Sequence, residues 1–266
     1  MASLSSDSRP PSDNGDHLDL PLPFPLPTLT STPVQHPDCC LGLSMTLLDT
    51  ILHIFQTYTR TQPGNTREST KTHVKCLSIG SGTGLFEALL TSKVGNYHAF
   101  ELDLHGLEVA SSTTANKYLP QNLRCTVPST SSLYEEASEF DVWLFVYPRD
   151  PRLVKKYLDH ACEQTKNPEL VLFLGPKSDF LPVVETQDES QQETFPDILG
   201  CVSDYLDECQ RVMDQDDDAG FQELGSRSRC STGSCKSRSS PFQASILPSP
   251  TIGLTSYEIL CVLYRS

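Results

Sequence analysis

The stretch KCLSIGSGTGLFEALL, residues 75–90, decides how this chain folds. It begins as a short apolar run that ends at Ile79, and it then places glycines at positions 80, 82 and 84 before a helix-favouring segment. This order is typical of a strand, a tight turn and a helix. Glycines at such a turn let a ligand approach the backbone closely, because no side chain stands in the way. The stretch therefore predicts a ligand site at the end of a buried strand.

The rest of the chain alternates between short apolar runs and helical segments. Strands separated by helical segments indicate a parallel sheet with helices on both faces, and near-continuous apolar strands fit burial on both sides. An amphipathic helix is predicted over residues 39–60, where Leu43, Leu47, Leu48, Ile51 and Phe55 recur at helical spacing. Strands are predicted at residues 74–79, 97–102, 123–127, 140–147 and 169–175, with helical segments at 84–93, 104–119 and 150–165.

The glycine spacing distinguishes between two kinds of nucleotide site. Dinucleotide-binding turns read G-x-G-x-x-G, whereas here the third glycine comes one position early and an acid, Glu87, follows three positions after it. This pattern resembles the first motif of class I S-adenosylmethionine-dependent methyltransferases. The resemblance implies an α/β, Rossmann-like fold, in which a mostly parallel seven-stranded sheet has an antiparallel last strand. It also implies that Gly80, Ser81, Gly82 and Gly84 cradle the methionine part of S-adenosyl-L-methionine.

The same resemblance implies residues for the rest of the cofactor. In this family an acid at the end of the second strand accepts hydrogen bonds from both ribose hydroxyls, a role that suits a carboxylate. Glu101, in HAFELDL, is expected in that role because it directly follows an apolar pair, and Asp103 is the second choice. After the third strand, VPSTSSLYEE lacks the acid that often contacts the adenine amine. A hydroxyl or backbone group of Thr130, Ser131 or Ser132 is expected there.

The end of the chain continues the resemblance. DDDAGFQELG (216–225) is similar to the family's passage from the fifth helix into the sixth strand. SYEILCVLYRS (256–266) is similar to its final, antiparallel strand. The match covers roughly residues 73–225 and 255–266, and it places the Ser/Arg-rich residues between the last two strands.

Few residues are expected to act in the chemistry itself. Methyl transfer starts from an activated sulfonium, so the protein chiefly aligns the acceptor, and a general base is optional. If there is such a base, Tyr147, Arg149 and Asp150 are the nearest candidates, because YPRDP follows the fourth strand, where ligands bind in open α/β sheets. Arg149 is alternatively expected to orient an acidic substrate. The segment FVYPRDPRLVKKYL (145–158), together with NKYLP (116–120), also resembles fungal methyltransferase-like proteins. It lacks the Asn/Asp-Pro-Pro-aromatic signature of methyltransferases that act on amino groups of nucleic acid.

Three functions remain open at this point. The first is S-adenosylmethionine-dependent methyl transfer to a small-molecule acceptor of natural-product type. The second is a catalytically inactive, methyltransferase-like binding or regulatory subunit. The unusual sequence on the adenine side supports it. The third is a nucleotide-dependent oxidoreductase, which the glycine spacing disfavours.

Composition divides the chain into a core and three polar segments. Residues 1–37 hold eight prolines and a single aromatic residue, so a disordered arm is predicted before a methyltransferase-like domain over 38–266. Within that domain, residues 185–223 carry thirteen acidic residues against one basic residue, Arg211. A solvated surface is the simpler interpretation, and a docking surface for a protein partner is the alternative. Residues 226–250 are rich in serine and arginine and predict a flexible loop.

Charge and cysteine usage limit the partners and the compartment. A net charge of −14 argues against nucleic acid as a partner, because phosphate-binding proteins usually show a basic face. No apolar stretch approaches the roughly 20 residues of a membrane span, and the first residues do not form a secretory signal. The ten cysteines stand singly or in irregular pairs, which fits a reducing, cytoplasmic setting. Cys230 and Cys235 have no second pair nearby, so no metal site is expected.

Overall fold

The computed structural model of the chain describes residues 22–61, 72–95, 100–163, 168–180, 194, 195, 198, 242–247 and 249–265. The strands among them are β1 (Val34–His36), β2 (Cys39–Leu43), β3 (Thr72–Ile79), β4 (Phe100–Val109), β5 (Arg124–Val127), β6 (Val142–Val146), β7 (Leu170–Pro176), β8 (Phe242–Leu247) and β9 (Glu258–Arg265). The α-helices are α1 (Met45–Thr61), α2 (Leu85–Val94) and α3 (Pro151–Glu163). Short 3₁₀ segments lie at Gln121–Leu123, Glu135–Glu139, Lys177–Phe180 and Ser249–Ile252.

Seven of these strands form one sheet, in the order β5-β4-β3-β6-β7-β9-β8. The strands from β3 to β7 run parallel, and β9 inserts antiparallel between β7 and β8. The predicted fold class, a Rossmann-like class I methyltransferase fold with an antiparallel last strand, is confirmed. The strand order reverses between β3 and β6, and in open α/β sheets ligands bind at the carboxyl ends of the strands beside such a reversal.

Two apolar layers cover the sheet, because the side chains of a strand point alternately to its two faces. On one face, strand residues such as Leu104 and Leu144 belong to a buried cluster with leucines of α1 and α2. On the other face, Trp143 packs edge-on against Tyr157 of α3, with ring centroids 5.5 Å apart. Helices therefore lie on both sides of the sheet, as the sequence predicts.

The second parallel strand is longer and lies later in the chain than predicted. β4 runs for ten residues, from Phe100 to Val109, and Ile79 at the end of β3 pairs with Leu107. The prediction of a strand that ends at residue 102 is therefore wrong. The helix predicted over 104–119 is also wrong, because its first residues continue β4 and the others form turns.

Part of the predicted disordered arm packs on the core. β1 pairs antiparallel with β2, and Leu22, Leu26 and Leu29 pack against the buried cluster beside α1. The arm prediction is therefore wrong for residues 22–37, while residues 1–21 lie outside the described residues. The helix predicted from residue 39 begins only at Met45.

The sixth strand of the sheet also differs from the prediction. β8 lies after the Ser/Arg-rich residues and pairs antiparallel with β9, so those residues do not lie between the last two strands as predicted. The flexible loop predicted over 226–250 is therefore wrong for residues 242–247. Residues 216–225, predicted to lead from a helix into the sixth strand, lie outside the described residues. Residues 226–241, and the acidic segment 185–223 apart from three positions, lie outside the described residues.

Candidate functional site

The glycine turn joins the end of β3 to the start of α2. Gly80, Gly82 and Gly84 have positive φ angles of 78°, 59° and 78°, which residues with a side chain rarely adopt. The amides of Gly80 and Ser81 both donate to the carbonyl oxygen of Leu107 on β4, at 2.9 and 3.2 Å. The turn is therefore fixed against the carboxyl end of the neighbouring strand.

The space around the turn differs between its glycines. A Cβ atom built on Gly80 or Gly82 would meet no atom within 4 Å, so both positions face open space. On Gly84 the same atom would approach Leu119 Cγ to 3.0 Å and Asn116 Cα to 3.2 Å. The first two glycines thus leave room for a ligand, whereas Gly84 is needed for packing.

Asn116, which sequence reasoning missed, holds the turn from the side of the 110–119 segment. Its backbone amide donates to the Gly82 carbonyl at 2.8 Å, and its Nδ2 donates to the Gly106 carbonyl at 2.7 Å. Its Oδ1 accepts a hydrogen bond from Ser81 Oγ at 2.6 Å. Asn116 is buried and has a φ of 52°, a conformation that asparagine tolerates better than most residues. The hydroxyl of Ser81 is therefore engaged inside the turn.

Glu101 does not lie where the sequence analysis expects it. It pairs with His73 near the amino ends of the strands, far along β4 from the carboxyl end that carries the glycine turn. Asp103, the second choice, lies two residues further on, and its Oδ1 is 2.9 Å from His105 Nε2. The expectation for Glu101 is therefore wrong, because the strand continues through polar residues that resemble a loop.

Glu108 occupies the place expected for Glu101. Its Oε2 accepts a hydrogen bond from the Gly82 amide at 2.8 Å, and its Oε1 accepts one from the Val109 amide at 2.8 Å. The alternation of apolar and polar residues over 100–105 is a sequence signal that β4 continues past Glu101, but the alternation breaks at Gly106, and pairing with β3 and β5 carries the strand on to Glu108. A carboxylate at the end of β4 thus lies against the open glycine turn.

A second carboxyl group is buried in the first turn of α2. Glu87 is 1% exposed, and its Oε1 accepts a hydrogen bond from Ser78 Oγ at 2.5 Å. Its Oε2 is buried without a hydrogen-bond partner among the described residues. Burial raises the pKa of Glu87 to about 7, against the effect of the Ser78 bond, and the charge of Glu108 adds to the rise. A positively charged group near these two acids would stabilise both.

The loop after β5 contains the residues expected on the adenine side. β4 and β5 end together, because Val109 pairs with Val127. Thr130 and Ser131 are exposed in the turn that follows, and the Ser131 carbonyl accepts a hydrogen bond from Lys156 Nζ on α3 at 2.8 Å. This loop therefore lies at the same edge of the sheet as Glu108.

Tyr147 follows β6 with a positive φ of 52°. Its hydroxyl donates a hydrogen bond to Glu258 Oε1 at 2.7 Å, and Glu258 is fully buried. Burial, followed by the bond to Glu258, raises the pKa of Tyr147 far above its usual value. The hydroxyl is therefore bound to Glu258 and stays protonated at neutral pH, and a role of Tyr147 as general base stays a prediction.

Arg149 and Asp150 lie in the link from β6 to α3. Asp150 Oδ1 accepts hydrogen bonds from the backbone amide and from Nε of Arg152, both at 3.0 Å, and Oδ2 accepts one from Nη2 at 3.0 Å. The side-chain bond to Arg152 lowers the pKa of Asp150. The Asp150 carboxylate is therefore bound to Arg152 in the first turn of α3, and a role of Asp150 as general base stays a prediction. Arg149 is exposed in the same link.

Two further features are absent from the described part of the chain. It contains no helix that is long and apolar enough to cross a membrane. The same residues hold no group of three or more metal-ligating side chains that is placed to bind a metal ion.

No family model and no curated protein matches the chain, but solved structures resemble its fold. The methyltransferase domain of a bacterial Hen1 protein shares 12% identity, with a TM-score of 0.41 over 82% of this chain and 96% of that one. A human methyltransferase 10 domain containing protein shares 13% identity, with a TM-score of 0.43 over 85% and 84% of the two chains. A SAM-dependent methyltransferase from Aquifex aeolicus shares 10% identity, with a TM-score of 0.40 over 84% and 92%. TM-scores this low carry no weight for the function of this chain.

Proposed function

We propose that this chain is an S-adenosylmethionine-dependent methyltransferase that acts on a small-molecule acceptor of natural-product type. The observation that carries the proposal is the carboxylate of Glu108 at the end of β4, 2.8 Å from the Gly82 amide in an open glycine turn. A carboxylate has an oxygen for each of the two ribose hydroxyls of the cofactor. The open space beside Gly80 and Gly82 suits its methionine part. To Thr130 and Ser131, in the exposed turn after β5, we assign the contact with the adenine side.

The charges around the turn favour this cofactor over a dinucleotide. S-adenosylmethionine carries a positive sulfonium and an ammonium group, and the turn has the two acids Glu87 and Glu108 nearby. A positive charge at the turn would favour the charged forms of both acids. The pyrophosphate of a nicotinamide dinucleotide would instead meet carboxylates of its own sign. The residues present therefore fit the sulfonium cofactor.

The part of this chain in the reaction is to position the acceptor. The bound cofactor supplies an activated methyl group, so alignment accounts for much of the rate. The acceptor side lies beyond β6, where the bond to buried Glu258 holds the Tyr147 side chain in place. Arg149 is exposed there, and we assign it the role of orienting an acidic acceptor.

Ligand-dependent thermal stability tests the cofactor. A ligand that binds only the folded protein raises the Tm, and a concentration of 100 times Kd adds about 2.7 kcal/mol to the free energy of unfolding. We expect millimolar S-adenosylhomocysteine to raise the Tm and NAD to leave it unchanged. The reverse pattern would favour an oxidoreductase, and no response to either ligand would count against a nucleotide-type cofactor.

A second candidate function is a methyltransferase-like binding or regulatory subunit without turnover. The observation that favours it is the engagement of Tyr147 and Asp150, the two groups near the acceptor side that the sequence offers as bases. Incubation of the protein with methyl-labelled cofactor and fractionated small-molecule extract separates the two functions. A labelled product that requires Glu108 supports transfer, whereas saturable S-adenosylhomocysteine binding without any labelled product supports the subunit.

A further inference from the structure

Three side chains with the chemistry of a nucleophilic thiol site meet on one face of the sheet, away from the candidate cofactor site. Asp103 and His105 belong to β4, and Cys125 belongs to β5. His105 Nε2 lies 2.9 Å from Asp103 Oδ1, and His105 Nδ1 lies 3.8 Å from Cys125 Sγ. The imidazole therefore joins the carboxylate to the sulfur through its two nitrogens.

The surroundings hold the imidazole in place and leave the sulfur partly accessible. The ring of Phe140 contacts His105 edge-on, with ring centroids 5.3 Å apart and an interplanar angle of 71°. The His105 side chain is 21% exposed, and Cys125 is half-buried on the edge strand of the sheet. In contrast, Cys76 and Cys261 are fully buried in the core. Cys125 thus differs from these core thiols in both accessibility and partner.

Asp103 keeps the imidazole charged. The bond to Asp103, followed by the contact with Cys125, raises the pKa of His105 to about 9. The same bond lowers the pKa of the Asp103 carboxyl. At neutral pH the imidazolium therefore carries a proton on each nitrogen, one toward the carboxylate and one toward the sulfur.

Other titratable groups face this cluster from the neighbouring elements. His73 and Lys75 approach Asp103 from β3, and Tyr134 approaches Cys125 from the loop that follows β5. The Tyr134 hydroxyl donates a hydrogen bond to Glu136 in the 3₁₀ segment that comes next. Burial, followed by the bond to Glu136, raises the pKa of Tyr134, so this hydroxyl stays protonated at neutral pH.

We propose that Cys125 is a nucleophilic thiol site, with the His105 imidazolium as the cation that faces its sulfur and Asp103 as the residue that positions His105, and that it forms covalent adducts with small carbon electrophiles. In this step the thiol proton passes to water, and the imidazolium stabilises the thiolate that remains. The sulfur donates an electron pair to the electrophilic carbon, a sulfur–carbon bond forms, and the leaving group departs with the electron pair of the broken bond. A cationic histidine beside a cysteine promotes such a step because it stabilises the thiolate. The site does not depend on methyl transfer.

Alkylation of the full-length chain with iodoacetamide tests the site, because sulfur displaces iodide and leaves a stable thioether. Peptide mass spectrometry follows each cysteine over time, and the exposed Cys40 is the internal control in the same sample. We expect Cys125 to react about tenfold faster than Cys40 at pH 7, in spite of its lower exposure. The alkylation rate of Cys125 should change little between about pH 6 and pH 8. Over the same range the alkylation rate of an ordinary thiol rises about a hundredfold.

Two variants separate the cation beside the sulfur from the residue that positions it. His105→Gln should slow alkylation of Cys125 about tenfold or more and restore the pH dependence of an ordinary thiol, while Cys40 is unchanged. Asp103→Asn should give an intermediate rate, because the imidazole remains but loses its charged partner. The proposal is overturned if Cys125 of the unaltered protein reacts no faster than Cys40, or if its rate rises with pH as an ordinary thiol does. That measurement needs no variant, so it stands even where a variant fails to fold.

Discussion

At the scale of single residues, two glycines of one turn separate ligand binding from folding. Gly82→Ala should cost about 1–2 kcal/mol through its positive φ, but its new Cβ enters open space and takes room from the ligand. Gly84→Ala should cost more, because its Cβ also meets Leu119 and Asn116 at 3.0 and 3.2 Å. Thermal unfolding should therefore give Gly84→Ala a lower Tm than Gly82→Ala. Titration with S-adenosylhomocysteine should show that folded Gly82→Ala binds more weakly than the unaltered protein. Unchanged binding by that variant would argue against a ligand at the turn.

The buried Glu87 predicts a pH dependence of stability. Its folded pKa of about 7 lies above the usual value of about 4.3, so the folded state holds a proton that the unfolded state has released. Stability should therefore fall as the pH rises from about 4.3 through 7 and change little from this group above that range. Glu87→Gln keeps the shape but cannot ionise, so the Tm of the unaltered protein should fall relative to the variant between about pH 5 and pH 8. Parallel Tm curves would show that Glu87 does not titrate in this range.

At the scale of elements, the segment 22–43 belongs to the folded domain. Its leucines pack beside α1, β1 pairs with β2, and Leu41 and Leu43 are 0% and 1% exposed. A chain that begins at Pro37 should therefore unfold at a lower temperature than one that begins at Leu22, because it lacks β1 and the packed leucines. Equal Tm values for the two chains would show that residues 22–36 do not contribute to the stability of the domain.

The same segment also contacts the glycine turn. The Asp38 carboxylate accepts hydrogen bonds from Lys117 Nζ and the Tyr118 hydroxyl, both at 2.7 Å. The backbone carbonyl of Asp38 accepts one from Thr83 Oγ1 of the turn, also at 2.7 Å. Asp38→Ala should therefore lower the Tm and weaken S-adenosylhomocysteine binding. Asp49→Ala is the matched control, because it removes one half-exposed acid that pairs with Lys93 away from the turn. The account of this segment fails if both variants change the Tm and the affinity equally.

The elements show why some predictions from the sequence succeed and others do not. The strand, turn and helix around Gly80–Gly84 are predictable, because local patterning and glycine placement act within a few residues. The end of β4 is not evident, because His105, Gly106 and Glu108 look like a loop, and only pairing with β3 and β5 keeps them in a strand. Proline-rich residues 22–36 look unstructured because their stabilising contacts are to distant parts of the chain. Asn116 and Glu108 join the site through the same long-range contacts.

At the scale of the whole molecule, the strand order brings the functional groups to one edge. β3 carries the glycine turn, β4 carries Glu108, β5 leads into Thr130 and Ser131, and β6 leads into Tyr147. Parallel strands end on the same side, so these groups gather although they are far apart in sequence. The position of Glu108 at this edge, and of Glu101 at the opposite edge, is the central difference between the structure and the sequence analysis.

Calorimetric titration of these two glutamates with S-adenosylhomocysteine tests the account most directly. Glu108→Ala should lose two charge-assisted hydrogen bonds, each about 1.5–3 kcal/mol, and should bind on the order of a hundredfold or more weakly. Glu108→Gln keeps the shape of the side chain and one acceptor, so its affinity should lie between that of Glu108→Ala and that of the unaltered protein. Glu101→Ala is the matched control and should bind as the unaltered protein does. Loss of binding in folded Glu101→Ala, with Glu108→Ala unaffected, would contradict the proposed site.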